Sequence, residues 1–148
     1  MDKTQMLNEL ENAKKTHLAQ MQKIKDVLNN KDVQNPTPIG KMDCECGEWF
    51  YTHREQLQHI LGEQMFIKLD DIHERWHKEY GRIYDIFFKE EKKKGFFAKI
   101  LGANKVDTML IDKAKLYYVE LEEITKELLK SSEVAIRRVS ALQESKFK

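Results

Sequence analysis

The sequence predicts an all-α protein, folded as an antiparallel four-helix bundle with a long C-terminal helix. Apolar residues recur three, four or seven positions apart in three long segments, which is the spacing of amphipathic helices. Both prolines, Pro36 and Pro38, lie in one connecting segment, so the long segments contain no proline to break a helix. The length of 148 residues is that of one domain, and we expect a single helical domain over residues 1–148.

The composition excludes several classes of function. Lys and Arg total 26 and Asp and Glu total 25, so the chain lacks the excess basic charge that binds a phosphate backbone or an anionic membrane. The charged N-terminus has no signal-peptide core, and no segment is apolar enough to span a bilayer. Two cysteines one residue apart do not form a disulfide framework. We therefore expect a cytoplasmic protein with reduced thiols that binds neither nucleic acid nor membrane.

The first predicted helix runs from about residue 3 to 30 and carries His17 inside its apolar stripe. The other members of this stripe are Leu7, Leu10, Met21, Ile24 and Leu28. An inward histidine that stands alone is more often a hydrogen-bonded core residue than a ligand. His17 therefore becomes a candidate ligand only in combination with other residues.

The segment after the first helix holds both prolines and is predicted to be a loop. This loop carries Cys44 and Cys46, which are the two cysteines of the chain. Thr52 and Glu55 have the spacing of a capping box, which predicts a short helix that ends at about Leu61. Both cysteines are thus expected to precede a helix start, in a ligand-bearing loop.

A third helix, from about residue 65 to 93, is predicted to turn His73 and His77 inward. Residues four apart on a helix lie on one face, with Cβ atoms roughly 5–6 Å apart. This spacing suits two ligands of one ion. Imidazoles and cysteine thiolates are ligands that Zn²⁺ prefers, so His17, this histidine pair and the cysteine loop together predict a zinc site.

The chain after the third helix contains a corner and a last helix. Gly95 and Gly102 interrupt the periodic pattern over residues 92–104, where we expect a short helical corner that closes one end of the bundle. From Asp107, a coiled-coil-like spacing continues for nearly forty residues, longer than the other helices. We expect the C-terminal part of this helix to overhang, fray, or pack on another chain, which predicts a homodimer.

These residues resemble a known family, the chemoreceptor zinc-binding (CZB) domains. The family pattern is a His on the first helix, a Cys-x-Leu-Gly-x-Trp loop and a later His-x-x-x-His pair. In this chain the pattern reads His17, then Cys44-Glu45-Cys46-Gly47-Glu48-Trp49, then His73-Glu74-Arg75-Trp76-His77. The resemblance spans about residues 10–90 and leaves 91–148 as the corner segment and C-terminal helix. It implies Zn²⁺ as the metal, with His17, Cys44, His73 and His77 as its ligands.

The resemblance implies a sensory function. Family members sense zinc, or oxidants such as hypochlorous acid through the zinc-bound thiolate, and are often dimeric. They are attached to chemoreceptors or diguanylate cyclases, and these 148 residues contain neither output domain. We therefore expect a stand-alone member that acts in trans on a chemoreceptor or a cyclic-di-GMP signalling protein. A closed four-ligand site has no open position for activated water, so we do not expect an enzyme.

Two other classes of protein fit part of the pattern. A hemerythrin-like di-iron protein would use His17, the pair His59 and Glu63, and the pair His73 and His77, although the last helix has no histidine. A purely structural helical module would carry its histidines by chance. The metal content of the protein distinguishes these alternatives from a zinc protein.

Cys46 departs from the family pattern, which usually has Leu at that position. An oxidised Cys44 could condense with the Cys46 thiol to form a disulfide if the loop bends enough. The other interpretation, which we favour, is that Cys46 is a packing residue in place of the apolar Leu.

Overall fold

The computed structural model describes residues 1–89 and 108–148, and all regular elements in these ranges are helical. The helices are α1 (Lys3–Leu28), α2 (Glu45–Thr52), α3 (Arg54–Leu61), α4 (Glu63–Tyr84) and α5 (Thr108–Ala141). A π-helical turn, Asp85–Lys89, extends α4, and a 3₁₀ turn, Glu144–Phe147, follows α5. The all-α prediction is therefore confirmed. The corner predicted at 92–104 lies outside the described residues.

The long helices α1, α4 and α5 pack side by side, and the short pair α2 and α3 completes the bundle. At the start of α1, the Lys3 ammonium donates to the carbonyls of Ser140 and Leu142 at the end of α5, so these two helices are antiparallel. The Arg75 guanidinium of α4 binds the Glu127 carboxylate of α5 at 2.8 Å. The long C-terminal helix thus packs against both α1 and α4.

The hydrophobic core consists of two clusters along the bundle axis. The first cluster joins the N-terminal half of α1 to α3, the start of α4 and the end of α5; among its members are Met6, Leu10, Leu57, Phe66, Leu69 and Val139. The second joins the C-terminal half of α1 to the rest of α4 and the first part of α5; among its members are Met21, Ile24, Trp76, Ile83 and Leu121. The buried residues also include histidines of α1 and α4.

The helix predicted after Thr52 begins earlier than the capping-box pattern indicates. Cys44 is the N-cap of α2, and Cys46 lies in the first turn of that helix, so the prediction that both cysteines precede a helix start is wrong. Thr52 is the last residue of α2, and α3 begins after His53 without a side-chain cap. The thiol of Cys44 accepts the capping hydrogen bond instead, from the backbone N–H of Gly47.

The prediction that the C-terminal part of the last helix overhangs or frays is also wrong, because that part packs within the chain. Ala135 and Val139 of α5 are fully buried in the first core cluster. Arg138 donates from Nε to the carbonyl of Ile60 at 3.0 Å, which joins the end of α5 to α3. The end of α5 does not extend beyond the bundle, because α3 and the N-terminal turns of α1 cover its last turns.

Candidate metal centre

Three buried histidines converge in the interior of the bundle. His17 comes from α1, and His73 and His77 come from α4; their exposed fractions are 0%, 3% and 4%. One nitrogen from each ring lies within 4.8 Å of the nitrogens from the other two. The sequence prediction that these three side chains face the interior of the bundle is therefore confirmed.

Backbone carbonyls fix the orientation of two of these rings. His17 donates from Nδ1 to the carbonyl of Ala13 at 2.8 Å, and His77 donates from Nδ1 to the carbonyl of Ile39 at 2.9 Å. The Nε2 atoms of both rings are buried and have no hydrogen-bond partner among the described residues. A metal-binding histidine commonly holds its second N–H on a carbonyl in this way, which leaves the other nitrogen free for the ion.

His73 contacts the cysteine predicted to be the fourth ligand. Its Nε2 lies 3.3 Å from the Sγ of Cys44, a separation suited to two ligands of one zinc ion, and its Nδ1 is buried without a partner in the described part of the chain. The Sγ of Cys44 is not one of the atoms that lie within 4.8 Å of one another. Cys44 therefore contacts the histidine cluster on one side, through His73.

The first turn of α2 holds the thiol of Cys44. The backbone N–H of Gly47 donates to Sγ at 3.2 Å, and Sγ lies 3.5 Å from the carbonyl oxygen of Lys41. Burial raises the pKa of this thiol, against the lowering effect of nearby backbone N–H groups, so the metal-free protein keeps it protonated. Zinc binds the thiolate, so metal binding at this position releases a proton.

Gly47 permits the close approach of two backbone segments. A Cβ atom at this position would lie 1.6 Å from the carbonyl oxygen of Lys41 and 3.3 Å from the Sγ of Cys44. Only glycine fits without displacing the turn that carries the thiol. This accounts physically for the glycine of the cysteine motif.

The donor set of three imidazoles and one thiol is a set that Zn²⁺ accepts in tetrahedral sites. Residues 17–84 match the family described as the chemoreceptor zinc-binding domain (CZB), and this range includes all four predicted ligands. This segment is a CZB domain. The buried His and Cys cluster fits the zinc ion for which the family is named. Neither the comparison with curated proteins nor that with solved structures gave a match.

The di-iron alternative does not fit the geometry of the CZB domain. His59 and Glu63, which would supply the second ligand pair, are both exposed, whereas His17, His73 and His77 are buried. Within 1–89 and 108–148, the His, Cys, Asp and Glu side chains close enough together to hold a metal are those of His17, His73 and His77, a group that excludes His59 and Glu63. The hemerythrin-like interpretation is therefore wrong for these residues.

Cys46 of the CZB domain lies in the first turn of α2, two positions after Cys44. It borders a small internal chamber of about 30 Å³, whose other walls include Leu10, Trp49, Phe50 and His73. Burial raises the pKa of its thiol far above the ordinary value. Residues two apart on a helix do not face each other, so this geometry favours the packing role over a disulfide with Cys44.

Sequence reasoning missed several groups that support the ligands. The carbonyls of Ala13 and Ile39 orient two rings, but a backbone carbonyl leaves no signal in the sequence. The indole N–H of Trp76, whose ring contacts that of His17, donates to the hydroxyl of Thr125 at 2.9 Å. The only sequence signal for this bond is a threonine inside the apolar stripe of the last helix.

The metal-free CZB domain is expected to lose stability as the pH falls below about 6.5. Burial lowers the pKa of His17, and it lowers the pKa of His73 to about 2 and that of His77 to about 4. Below the histidine pKa of the unfolded chain, the unfolded chain binds protons that the folded site does not bind. This difference lowers the free energy of unfolding by up to about 1.4 kcal/mol per pH unit for each histidine.

Urea unfolding in the presence of a chelator, between about pH 7.5 and pH 4.5, measures this dependence. Stability should be fully present at the alkaline end and should decline toward the acidic end. A His77→Gln variant should decline less steeply, because one of the three titrating imidazoles is gone. An equal free energy of unfolding at both ends of the range would contradict the burial of neutral imidazoles.

Proposed function

We propose that this chain holds one Zn²⁺ ion through His17, Cys44, His73 and His77, and that the state of this site is the signal that the protein reports. The observation that carries the proposal is the convergence of three buried imidazoles with unpartnered nitrogens, one of them in contact with a buried thiol. The four ligands would close a tetrahedral shell. A closed shell leaves no position for activated water, so we assign a regulatory and not an enzymatic role.

Zinc binding would connect three separate parts of the chain. The ligands come from α1, from the start of α2 and from α4. The loop between α1 and α2 is also attached to α4, because His77 donates to the carbonyl of Ile39 and Tyr80 donates to the carbonyl of Thr37. Loss of the ion would weaken the attachment of this loop, and release of the loop is the structural output that we propose.

The signal is either the zinc level or an oxidant. A thiolate bound to zinc is the atom in this site that an oxidant such as hypochlorous acid would attack, and a sulfenic acid is a poorer ligand than a thiolate. Both signals end in the same structural state, a site that has lost its ion. We propose that this state acts in trans on a chemoreceptor or a cyclic-di-GMP signalling protein in the cytoplasm. Within 1–89 and 108–148, no helix has the length and apolarity needed to cross a membrane.

Zinc titration against a competing chelator tests the assignment of the thiol ligand. A Cys44→Ser variant should bind zinc more than about 100-fold more weakly, which exceeds the typical effect of losing a partner outside the ligand shell. Cys46→Ser is the matched control, since it removes the neighbouring thiol, and should change the affinity little. Equal losses in the two variants, or no loss in Cys44→Ser, would contradict the assignment.

We also propose that the protein is a homodimer. Within the described residues, the N-terminal half of α5 carries apolar side chains that this chain leaves uncovered: Leu116 is 69% exposed and Val119 is 55% exposed. Light scattering at micromolar concentration should give twice the chain mass. Replacing both residues by Glu should halve that mass, and a monomeric mass for the unmodified protein would contradict the proposal.

A further inference from the structure

A group of charged and polar side chains next to the metal centre has no role in the zinc site described above. The carboxylate of Asp70 on α4 accepts a hydrogen bond from the hydroxyl of Tyr51 at 2.5 Å and one from the ammonium of Lys41 at 2.9 Å. The Lys41 ammonium also lies 5.2 Å from the centre of the Tyr51 ring. We call these three residues the Asp70 clasp.

The Asp70 clasp joins three segments that must meet for Cys44 to reach the histidines. Lys41 belongs to the turn before α2, Tyr51 belongs to α2, and Asp70 lies three positions before His73 on α4. Residues three apart on a helix are neighbours on its surface. The clasp therefore holds the turn and α2 against the face of α4 that presents His73.

Lys41 connects this clasp to the thiol through its backbone. While its ammonium binds Asp70, its carbonyl oxygen lies 3.5 Å from the Sγ of Cys44 and abuts Gly47. The position of the Lys41 backbone therefore sets the position of the thiol. A shift of Lys41 away from α4 would carry Cys44 away from His73.

The clasp is an ionic contact of a charged Asp70. Burial alone would raise the pKa of Asp70, but the hydrogen bonds from Tyr51 and Lys41 outweigh this effect and hold the pKa below its ordinary value. Burial and the hydrogen bond to Asp70 raise the pKa of Tyr51 strongly, so its hydroxyl remains a donor. Asparagine has nearly the shape of aspartate but lacks the charge that binds Lys41 at 2.9 Å. The Glu74 carboxylate also faces the Lys41 ammonium, but at the longer distance of 3.8 Å.

The histidines do not depend on the clasp in the same way. His17, His73 and His77 already lie within mutual reach, and Ala13 and Ile39 orient the rings of His17 and His77. Cys44 is the predicted ligand that does not belong to this group of three mutually close histidines. Its approach to the site depends on the turn that Lys41 anchors.

We propose that Asp70 is a positioning residue that keeps the thiol of Cys44 in the zinc shell, so that loss of the clasp converts a closed four-ligand site into a three-histidine site. This inference rests on the proposed zinc site. In this inference, Asp70 acts together with Lys41 and Tyr51, and their contacts determine whether Cys44 completes the zinc shell. Loss of a partner outside the ligand shell typically lowers metal affinity about 10–100-fold, and we expect this range for Asp70→Asn.

Cobalt substitution separates this role from a general effect on folding. Co²⁺ bound by a thiolate shows a ligand-to-metal charge-transfer band, while its weaker d–d bands report the whole ligand set. At saturating Co²⁺, Asp70→Asn should still show d–d bands, shifted because the ligand set has changed, and should lose most of the charge-transfer band. Tyr51→Phe, which keeps the Lys41 contact, should lose less of that band.

The matched control is Asp71→Asn, the same substitution at the next position of α4. Asp71 pairs with Arg75 at the surface, 3.0 Å away, and its side chain is 63% exposed. This variant should keep the full charge-transfer band and the unmodified zinc affinity. Should Asp70→Asn fail to fold, Tyr51→Phe and Lys41→Met provide the same comparison in the folded protein.

The outcomes distinguish the clasp from the zinc site itself. A full charge-transfer band and unchanged zinc affinity in Asp70→Asn and Tyr51→Phe would overturn the clasp and leave the zinc site intact. A charge-transfer band that persists in Cys44→Ser would overturn the proposed ligand set, and the clasp with it. A band that is lost in Cys44→Ser, weakened in Asp70→Asn and intact in Asp71→Asn is the result that we expect.

Discussion

Replacing Gly47 by Ala is expected to abolish tight zinc binding and to destabilise the fold. The added Cβ would lie 1.6 Å from the carbonyl oxygen of Lys41 and 2.8 Å from its carbonyl carbon. Because both are backbone atoms, no side-chain rotation relieves the clash, and the turn before α2 must open. Forced overpacking of this kind typically costs about 1–3 kcal/mol. We expect zinc affinity to fall more than about 100-fold, since the thiol of Cys44 moves with the turn.

Gly81→Ala provides the control for this prediction. A Cβ at Gly81, inside α4, would meet its nearest neighbour, the Cγ2 of Ile39, at 3.7 Å, which is an ordinary contact. Alanine in a helix interior is favoured over glycine by roughly 0.5–1 kcal/mol, so this variant should be slightly more stable. Chelator titration and urea unfolding of both variants measure the difference. A Gly47→Ala protein with unmodified zinc affinity would show that the close approach at Lys41 is not required.

Replacing His77 by Ala is expected to remove a zinc ligand and the attachment of a loop together. The Nε2 of His77 is a free nitrogen of the buried cluster, and its Nδ1–H donates to the carbonyl of Ile39 at 2.9 Å. We expect zinc affinity to fall more than about 100-fold, because three ligands no longer close the shell. The loop around Ile39 should also lose protection from hydrogen exchange, since one of its bonds to α4 is gone.

His59→Ala is the matched control for this variant, because His59 is exposed on α3 and lies outside the cluster. It should retain both the zinc affinity and the slow exchange around Ile39. Hydrogen exchange measured by mass spectrometry on both variants, with and without zinc, resolves the two effects. Unchanged affinity and exchange in His77→Ala would exclude His77 as a ligand.

The buried cluster links metal binding to folding. The Nε2 atoms of His17 and His77 and the Nδ1 of His73 are buried without partners among the described residues. An unsatisfied buried polar group typically costs about 1–3 kcal/mol, so the metal-free fold carries this cost in the middle of its core. Zinc would satisfy the two Nε2 atoms, and an ion present at 1,000 times its Kd stabilises the folded state by about 4.1 kcal/mol. The protein is thus suited to report whether the ion is bound.

The positions of the histidines could be predicted from the sequence because helical periodicity determines which residues face inward. His17 lies in the apolar stripe of α1, and His73 and His77 share the inner face of α4, where all three are buried. The start of α2 could not be predicted in this way. A cysteine is an unusual N-cap, and the more familiar Thr52 and Glu55 pattern indicated a later start that the structure does not have.

The packing of the last helix also could not be predicted from its own apolar periodicity, because it depends on the positions of other helices. Periodicity gave its length, but not that α3 and the start of α1 would cover Ala135 and Val139. The Asp70 clasp was missed for a related reason, since its residues come from a turn and two helices whose relative placement is a tertiary property. One signal was present in the sequence: Asp70 lies three positions before His73 and thus on the same side of α4.

The metal content of the purified protein tests the zinc site most directly. Elemental analysis should be made on protein from cells supplied with both zinc and iron, together with the Cys44→Ser and His77→Ala variants as references. The account predicts one zinc and no iron per chain, with the zinc lost from both variants on dialysis against a weak chelator. Two irons per chain, or no bound metal, would contradict it.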